Sequence, residues 1–186
     1  MKKLLVTALT LAGLSASVFG QGTILFQDAT IPHKVYVGSS PASGTFTVEL
    51  LGGAAGLTEA QLSTTPLVVF TSTTGSGIFY DGTAITIPGA PAGTGTGDTV
   101  NNATLDIIGW TGNYTSLAAA QAAGALIGDT GAFQNHTGGG GTPAAAPSNF
   151  TGWVGNLVLV PVPEPTTLAL GGLGAAALFL FRRRKN

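Results

Sequence analysis

Residues 21–160 read as an all-β domain: an antiparallel β-sandwich or jelly-roll-like body with one or two short helices. Three observations predict it. Apolar and polar residues alternate with a period of two in several short runs, as in Thr45-Phe46-Thr47-Val48-Glu49-Leu50. Between residues 21 and 162 there are 22 Thr, a residue that suits a pleated surface, and 24 Gly and 8 Pro that punctuate. Helix signals are confined to two short stretches.

In chain order, Thr23–Gln27 and Lys34–Val37 are the first strands, followed by the turn signal Gly38-Ser39-Ser40-Pro41. The Thr45–Leu50 run places Phe46, Val48 and Leu50 on one face and Thr45, Thr47 and Glu49 on the other. Thr58-Glu59-Ala60-Gln61 has the form of a capping box, so a turn or two of helix is expected at Thr58–Leu62. Strands follow at Leu67–Thr71, Gly77–Tyr80 and Thr83–Ile87, with turns at Asp81-Gly82, Pro88-Gly89 and Gly93–Gly97. Ala103–Trp110 is the next strand. Ser116–Ala123 is Ala-rich, with Ser116 as N-cap and Gly124 as the C-terminal stop of a helix. Residues 135–149 form a low-complexity loop, and Trp153–Val160 is the eighth strand.

Both ends differ from this body. Met1-Lys2-Lys3 is a short basic start, residues 4–18 carry no charge, and Val18-Phe19-Gly20 fits a cleavage site before Gln21. Residues 1–20 are therefore expected to be a helical secretory signal peptide. The competing transmembrane anchor needs about 20 apolar residues, more than this run supplies. Residues 161–186 have three parts: the Pro-rich Pro161-Val162-Pro163-Glu164-Pro165, an uncharged stretch from Thr166 to Phe181, and the basic Arg182, Arg183, Arg184 and Lys185. The middle part would span ~24 Å as a helix. It reads as a transmembrane helix, with the basic cluster as a membrane stop held on the cytoplasmic side.

The charges are segregated accordingly. Lys34 is the sole base between residues 21 and 162, against seven acids, for a balance of −6. So acidic a body argues against nucleic-acid partners, whose phosphates are met by Lys and Arg. With no Cys in the chain, disulfides, thiol nucleophiles and Cys-ligated metals are excluded.

Few residues suggest chemistry. His33 and His136 stand 103 positions apart, and surface placement is the ordinary fate of such histidines. Asp81, Asp98 and Asp129 lie in Gly-rich loops without the spacing of a calcium loop, so solvated turn residues are the better reading. Gly93-Thr94-Gly95-Thr96-Gly97-Asp98 lacks the lysine of a phosphate loop. No catalytic residue, cofactor or metal is assigned, and the chain is not expected to be an enzyme. Trp110 and Tyr114 flank a Gly112-Asn113 turn, where an exposed ring could stack on a sugar; burial of Trp110 in the core is the competing reading. Sequons at Asn102, Asn113, Asn135 and Asn149 follow from the abundance of Asn and Thr.

Val162-Pro163-Glu164-Pro165, the Gly/Ala/Leu stretch and the terminal Arg cluster together resemble the PEP-CTERM sorting tail of exported bacterial proteins. The same tail is also filed as an ice-binding protein C-terminal domain. The resemblance implies recognition by exosortase, a membrane-embedded protease of transpeptidase type, with cleavage near Pro-Glu-Pro. It also implies release to the cell surface or the extracellular, exopolysaccharide matrix, the tail serving as a transient membrane anchor. A permanent single-pass anchor is the alternative, disfavoured by Glu164 between two prolines. The body is similar to small exported PEP-CTERM proteins in its Gln21-Gly22-Thr23 start and in its Leu105–Trp110 strand leading to Tyr114 and an Ala-rich helix. That similarity implies an architecture and no activity; the role expected of the chain is structural or adhesive, with a carbohydrate-binding module of the polysaccharide matrix as the alternative.

Overall fold

A computed structural model describes residues 20–28, 33–95 and 97–162. Residues 1–19 of the signal peptide expected at 1–20, and the tail from Pro163 onward, lie outside the described residues.

The body is all-β. Among the described residues ten strands run in order: β1 Gln21–Gln27, β2 Val35–Val37, β3 Ser40–Pro41, β4 Phe46–Ala54, β5 Val68–Ser72, β6 Tyr80–Pro91, β7 Ala103–Thr111, β8 Leu126–Asp129, β9 Phe133–Asn135 and β10 Leu157–Pro161. One six-residue helix, α1 (Leu117–Ala122), follows β7. Both expected helical signals are met. Ser116 Oγ accepts from the Ala119 amide at 3.2 Å, and Gly124 turns the chain at φ 68°. At Thr58, the Gln61 side chain accepts from the Thr58 amide at 2.9 Å, but only the 3-10 turn Glu59–Gln61 forms.

Two sheets of unequal size share the core. The large one has the order β3-β2-β10-β8-β7-β4-β5, with β9 also pairing with β7; the small one is the β1–β6 ribbon. The expectation of purely antiparallel pairing is corrected at one place. β10 runs parallel to β2, with Leu157 opposite Val35 and Leu159 opposite Val37. Parallel neighbours need a long crossover, and here nearly the whole domain lies between them.

A second correction concerns β6. Asp81-Gly82 and Pro88-Gly89 were expected to be turns separating strands, but both lie inside one strand. Between Leu25 and Gln27 of β1 the partner moves from Ala84 to Tyr80, and between Thr23 and Gln21 it moves from Thr86 to Pro91. The extra β6 residues are accommodated as irregularities at Gly82 (φ 70°) and Gly89 (φ 73°), positive angles that glycine adopts without steric cost. The last strand is also shorter than expected: Trp153 precedes it in a loop, and β10 begins at Leu157.

The core fills the space between ribbon and large sheet. Ile24, Phe26 and Ile87 of the ribbon meet Phe46, Val48, Leu50, Leu105 and Ile107 of β4 and β7, all fully buried. An aromatic cluster closes one end, with Phe26 and Phe79 centroids 4.9 Å apart and Phe150 edge-on to Phe26 at 6.0 Å and to Trp153 at 6.2 Å.

The 135–149 segment packs against the body despite its simple composition. Gly138 exchanges backbone hydrogen bonds with Thr23, at 2.7 and 3.2 Å, and Gly140 donates to the Gly93 carbonyl at 2.9 Å. Asn135 is fully buried and holds the segment's two ends. Its Oδ1 accepts from the Thr151 and Gly152 amides at 2.7 and 3.0 Å, and its Nδ2 donates to the His136 and Asn149 carbonyls at 2.9 and 3.0 Å.

Candidate functional site

Two regions bear on function: the outer face of the large sheet, and the end of β10 where the body meets the tail.

The alternation in β4 that sends Phe46, Val48 and Leu50 inward sends Thr47, Glu49 and Leu51 outward. In β7 the partners on that outer face are Trp110 opposite Thr47, Ile108 opposite Glu49 and Asp106 opposite Leu51. Thr47, Glu49 and Asp106 would suit a face exposed to water. Instead α1 and the segments beside it cover it, and every residue from Phe46 to Gly53 is buried. Trp110 is the anchor of this cover. It is fully enclosed, packed with Ala120 and Ala125 and with the half-buried Ile108, Leu117 and Ile127. Its indole Nε1 donates to the Tyr114 carbonyl at 3.1 Å.

The expectation that Trp110 could present a ring to a ligand is thereby corrected: its apolar surface is spent on α1. Tyr114 is 37% exposed, and its ring lies over Gly112, where an added Cβ would sit 2.9 Å from it.

Cover of the outer face is incomplete between α1 and β5. A cleft of about 470 Å³ opens there. Glu49 lies in its lining with Thr64, Thr115 and Gln121, and Val69 and Leu117 supply apolar wall. Glu49 is 5% exposed, and among the described residues its carboxylate has no hydrogen-bond or ion-pair partner. Burial raises its pKa first, and the nearby Asp106 raises it further. Asp106, also buried, is pushed up to about 6, chiefly by burial and against the Thr130 hydroxyl that donates to it at 3.1 Å.

The other sequence candidates fall elsewhere. His33 packs 5.6 Å from the Trp153 ring, and His136 keeps a buried Nδ1 without a hydrogen bond. Neither lines the cleft. Asp98 accepts from the Thr94 and Val100 amides at 2.9 and 3.1 Å, which holds its carboxyl below the usual range. Asp129 accepts from the Gly131 amide at 3.0 Å and Asp81 from the Thr83 hydroxyl at 3.2 Å, so each serves its own turn. Among the described residues, no three His, Asp or Glu side chains gather as a metal site would require.

Sequence reasoning missed Glu49 as a site residue and Asp28 altogether. Asp28 follows β1 directly and is 1% exposed. Its Oδ1 accepts from the Phe79 amide at 2.8 Å, while Oδ2 is buried without a partner. A charged residue directly after an apolar strand was the available signal for Asp28. For Glu49 the signal was an acid inside the alternating Thr45–Leu50 run.

At the other region, β10 ends at Pro161 in the interior of the large sheet, held by β2 on one side and β8 on the other. Val158, Val160 and Val162 point outward, 40%, 50% and 44% exposed, so the last strand emerges with an apolar outer edge. Of the expected sorting motif, Val162 is described; Pro163, Glu164, Pro165 and the basic cluster Arg182–Lys185 lie outside the described residues. Among the described residues no helix is long and apolar enough to cross a membrane.

Residues 161–185 match the family model of the PEP-CTERM protein-sorting motif. That motif implies exosortase-dependent sorting of an exported protein that is processed at the cell envelope. Neither a curated protein nor a solved structure matches the chain.

Proposed function

We propose that this chain is a structural or adhesive protein of the cell surface or extracellular matrix. Its β-sandwich body is delivered by a tail that anchors it in the membrane until exosortase cuts near Pro163-Glu164-Pro165. The observation that carries the reading is the direct join between fold and motif. β10 ends at Pro161, and the sorting motif begins at the same residue. No spacer separates the packed body from the cutting site, so what is delivered is the folded domain itself.

A non-catalytic role is supported by the placement of the polar groups, most of which serve turns or segment ties. A second reading, a carbohydrate-binding module, is favoured by the half-exposed Tyr114 next to Thr115 and Ser116 of the outer cleft.

Intact-mass analysis of the protein from its native host tests the delivery. The expected mature form begins at Gln21 and ends near Pro165. Recovery of residues 166–182 in the mature surface protein, in a host that carries exosortase, would reduce the tail to a permanent anchor.

A further inference from the structure

We propose that the cleft on the outer face of the large sheet binds an amino sugar, with Glu49 receiving its ammonium group. The inference rests on the carbohydrate reading above and names the substrate class and the residue that selects it.

A buried carboxylate is ordinarily paired or hydrogen-bonded. Glu49 is nine-tenths buried, has no such partner among the described residues, and lies in the wall of an open cleft. Asp106 beside it adds like charge rather than relief. The body offers no cation for it: Lys34 is the sole base between residues 21 and 162, and it sits before β2 on the far side of β10, β8 and β7. The missing partner is a positive group small enough to enter the cleft.

The surroundings specify what carries that charge. Thr64, Thr115 and Gln121 line the cleft with groups that both donate and accept, as ring hydroxyls require. Val69 and Leu117 provide apolar surface for the face of a sugar ring. A volume of about 470 Å³ falls in the range of small-ligand pockets and admits one or two sugar units. An ammonium on Glu49 makes a charge-assisted hydrogen bond, about twice as strong as one between neutral groups.

The test is calorimetric titration of the full chain, held in mild detergent, with three tetrasaccharides: glucosamine, N-acetylglucosamine and glucose. The glucosamine oligomer should bind at least about tenfold more tightly than the other two. Glu49→Gln keeps the shape and removes the charge, and it should abolish that preference. Glu59→Gln removes an exposed acid from the 3-10 turn and should leave the preference intact. Equal binding of all three oligomers overturns the ammonium assignment and leaves the carbohydrate reading standing. Binding of none overturns both. A preference lost equally in both variants overturns the site in favour of diffuse attraction to an acidic surface. Tighter, Glu49-dependent binding of a short lysine peptide overturns the sugar assignment in favour of a protein side chain.

Discussion

Replacing Asp28 by Asn should make the protein more stable at pH 8 and leave it nearly unchanged at pH 4. The Asp28 carboxyl is buried beside Phe79, and its pKa is raised from 3.8 to about 7, first by desolvation and against the Phe79 amide and Lys34. In the unfolded chain the same carboxyl ionises near 3.8. Between those two values the folded protein therefore holds a proton that the unfolded chain has released, and stability falls as pH rises. At ~1.4 kcal/mol per pH unit, the full loss is ~4 kcal/mol once pH is well above 7, and ~2.5 kcal/mol of it falls between pH 5 and 8. Asn keeps the accepting Oδ1 for the Phe79 amide. Its Nδ2 takes the place of the unpartnered Oδ2 and cannot ionise. Urea denaturation of wild type and D28N at pH 4, 5, 7 and 8 measures the difference directly. D28N should be the more stable form at pH 8, by up to ~3–4 kcal/mol, with the gap closing toward pH 4. An identical pH slope in the two proteins, or a D28N variant less stable at pH 8, would refute the reasoning.

Other substitutions probe the remaining features by the same denaturation curves. Glu49→Gln should stabilise the body more at pH 8 than at pH 4, since burial and Asp106 both raise the Glu49 pKa; a loss of stability at pH 8 would show a partner for Glu49. Asn135→Ala strips the acceptor from two amides and the donor from two carbonyls and should cost about 3 kcal/mol. Gly152→Ala drives a methyl group into the Gln134 carbonyl oxygen and should prevent normal folding, whereas Gly44→Ala, with open space around it, should be neutral or mildly stabilising. Phe150→Ala opens the aromatic cluster and should cost about 3–5 kcal/mol; a cost below 1 kcal/mol would mean the cluster collapses around the gap.

Much of the fold was legible because alternation and turn residues act locally. The Phe46, Val48 and Leu50 stripe, the Ser116 N-cap and the Gly124 stop are each fixed by neighbours within a few positions. What escaped reading depends on distant partners. Gly82 and Gly89 carry the same signal in a turn as in a bulge, and only the pairing of β6 with β1 decides between them. β8 and β9 are too short to alternate visibly; β7 supplies their ladder. The parallel match of Leu157 with Val35 spans more than a hundred residues and leaves no trace in either strand's composition. Trp110 and Tyr114 lie near the cleft proposed as the site, and neither lines it. The loop that follows them lines the cleft, while the indole is buried beneath the helix. The tail was the most legible part, because its proline, apolar and basic blocks are read linearly and need no fold.

The position of β10 also sets how the body responds to pulling. Tension applied to the chain beyond Pro161 enters the fold along the axis of a strand whose Leu157–Leu159 stretch pairs with β2 and whose Val160 and Pro161 pair with β8. Hydrogen bonds to β2 and β8 lie across that axis, so they are loaded together in shear rather than opened one at a time from an end. A body held at its C-terminus is thus gripped where simultaneous rupture of several bonds is required. Under the proposed attachment through that end, the grip would be mechanical anchorage built into the strand order.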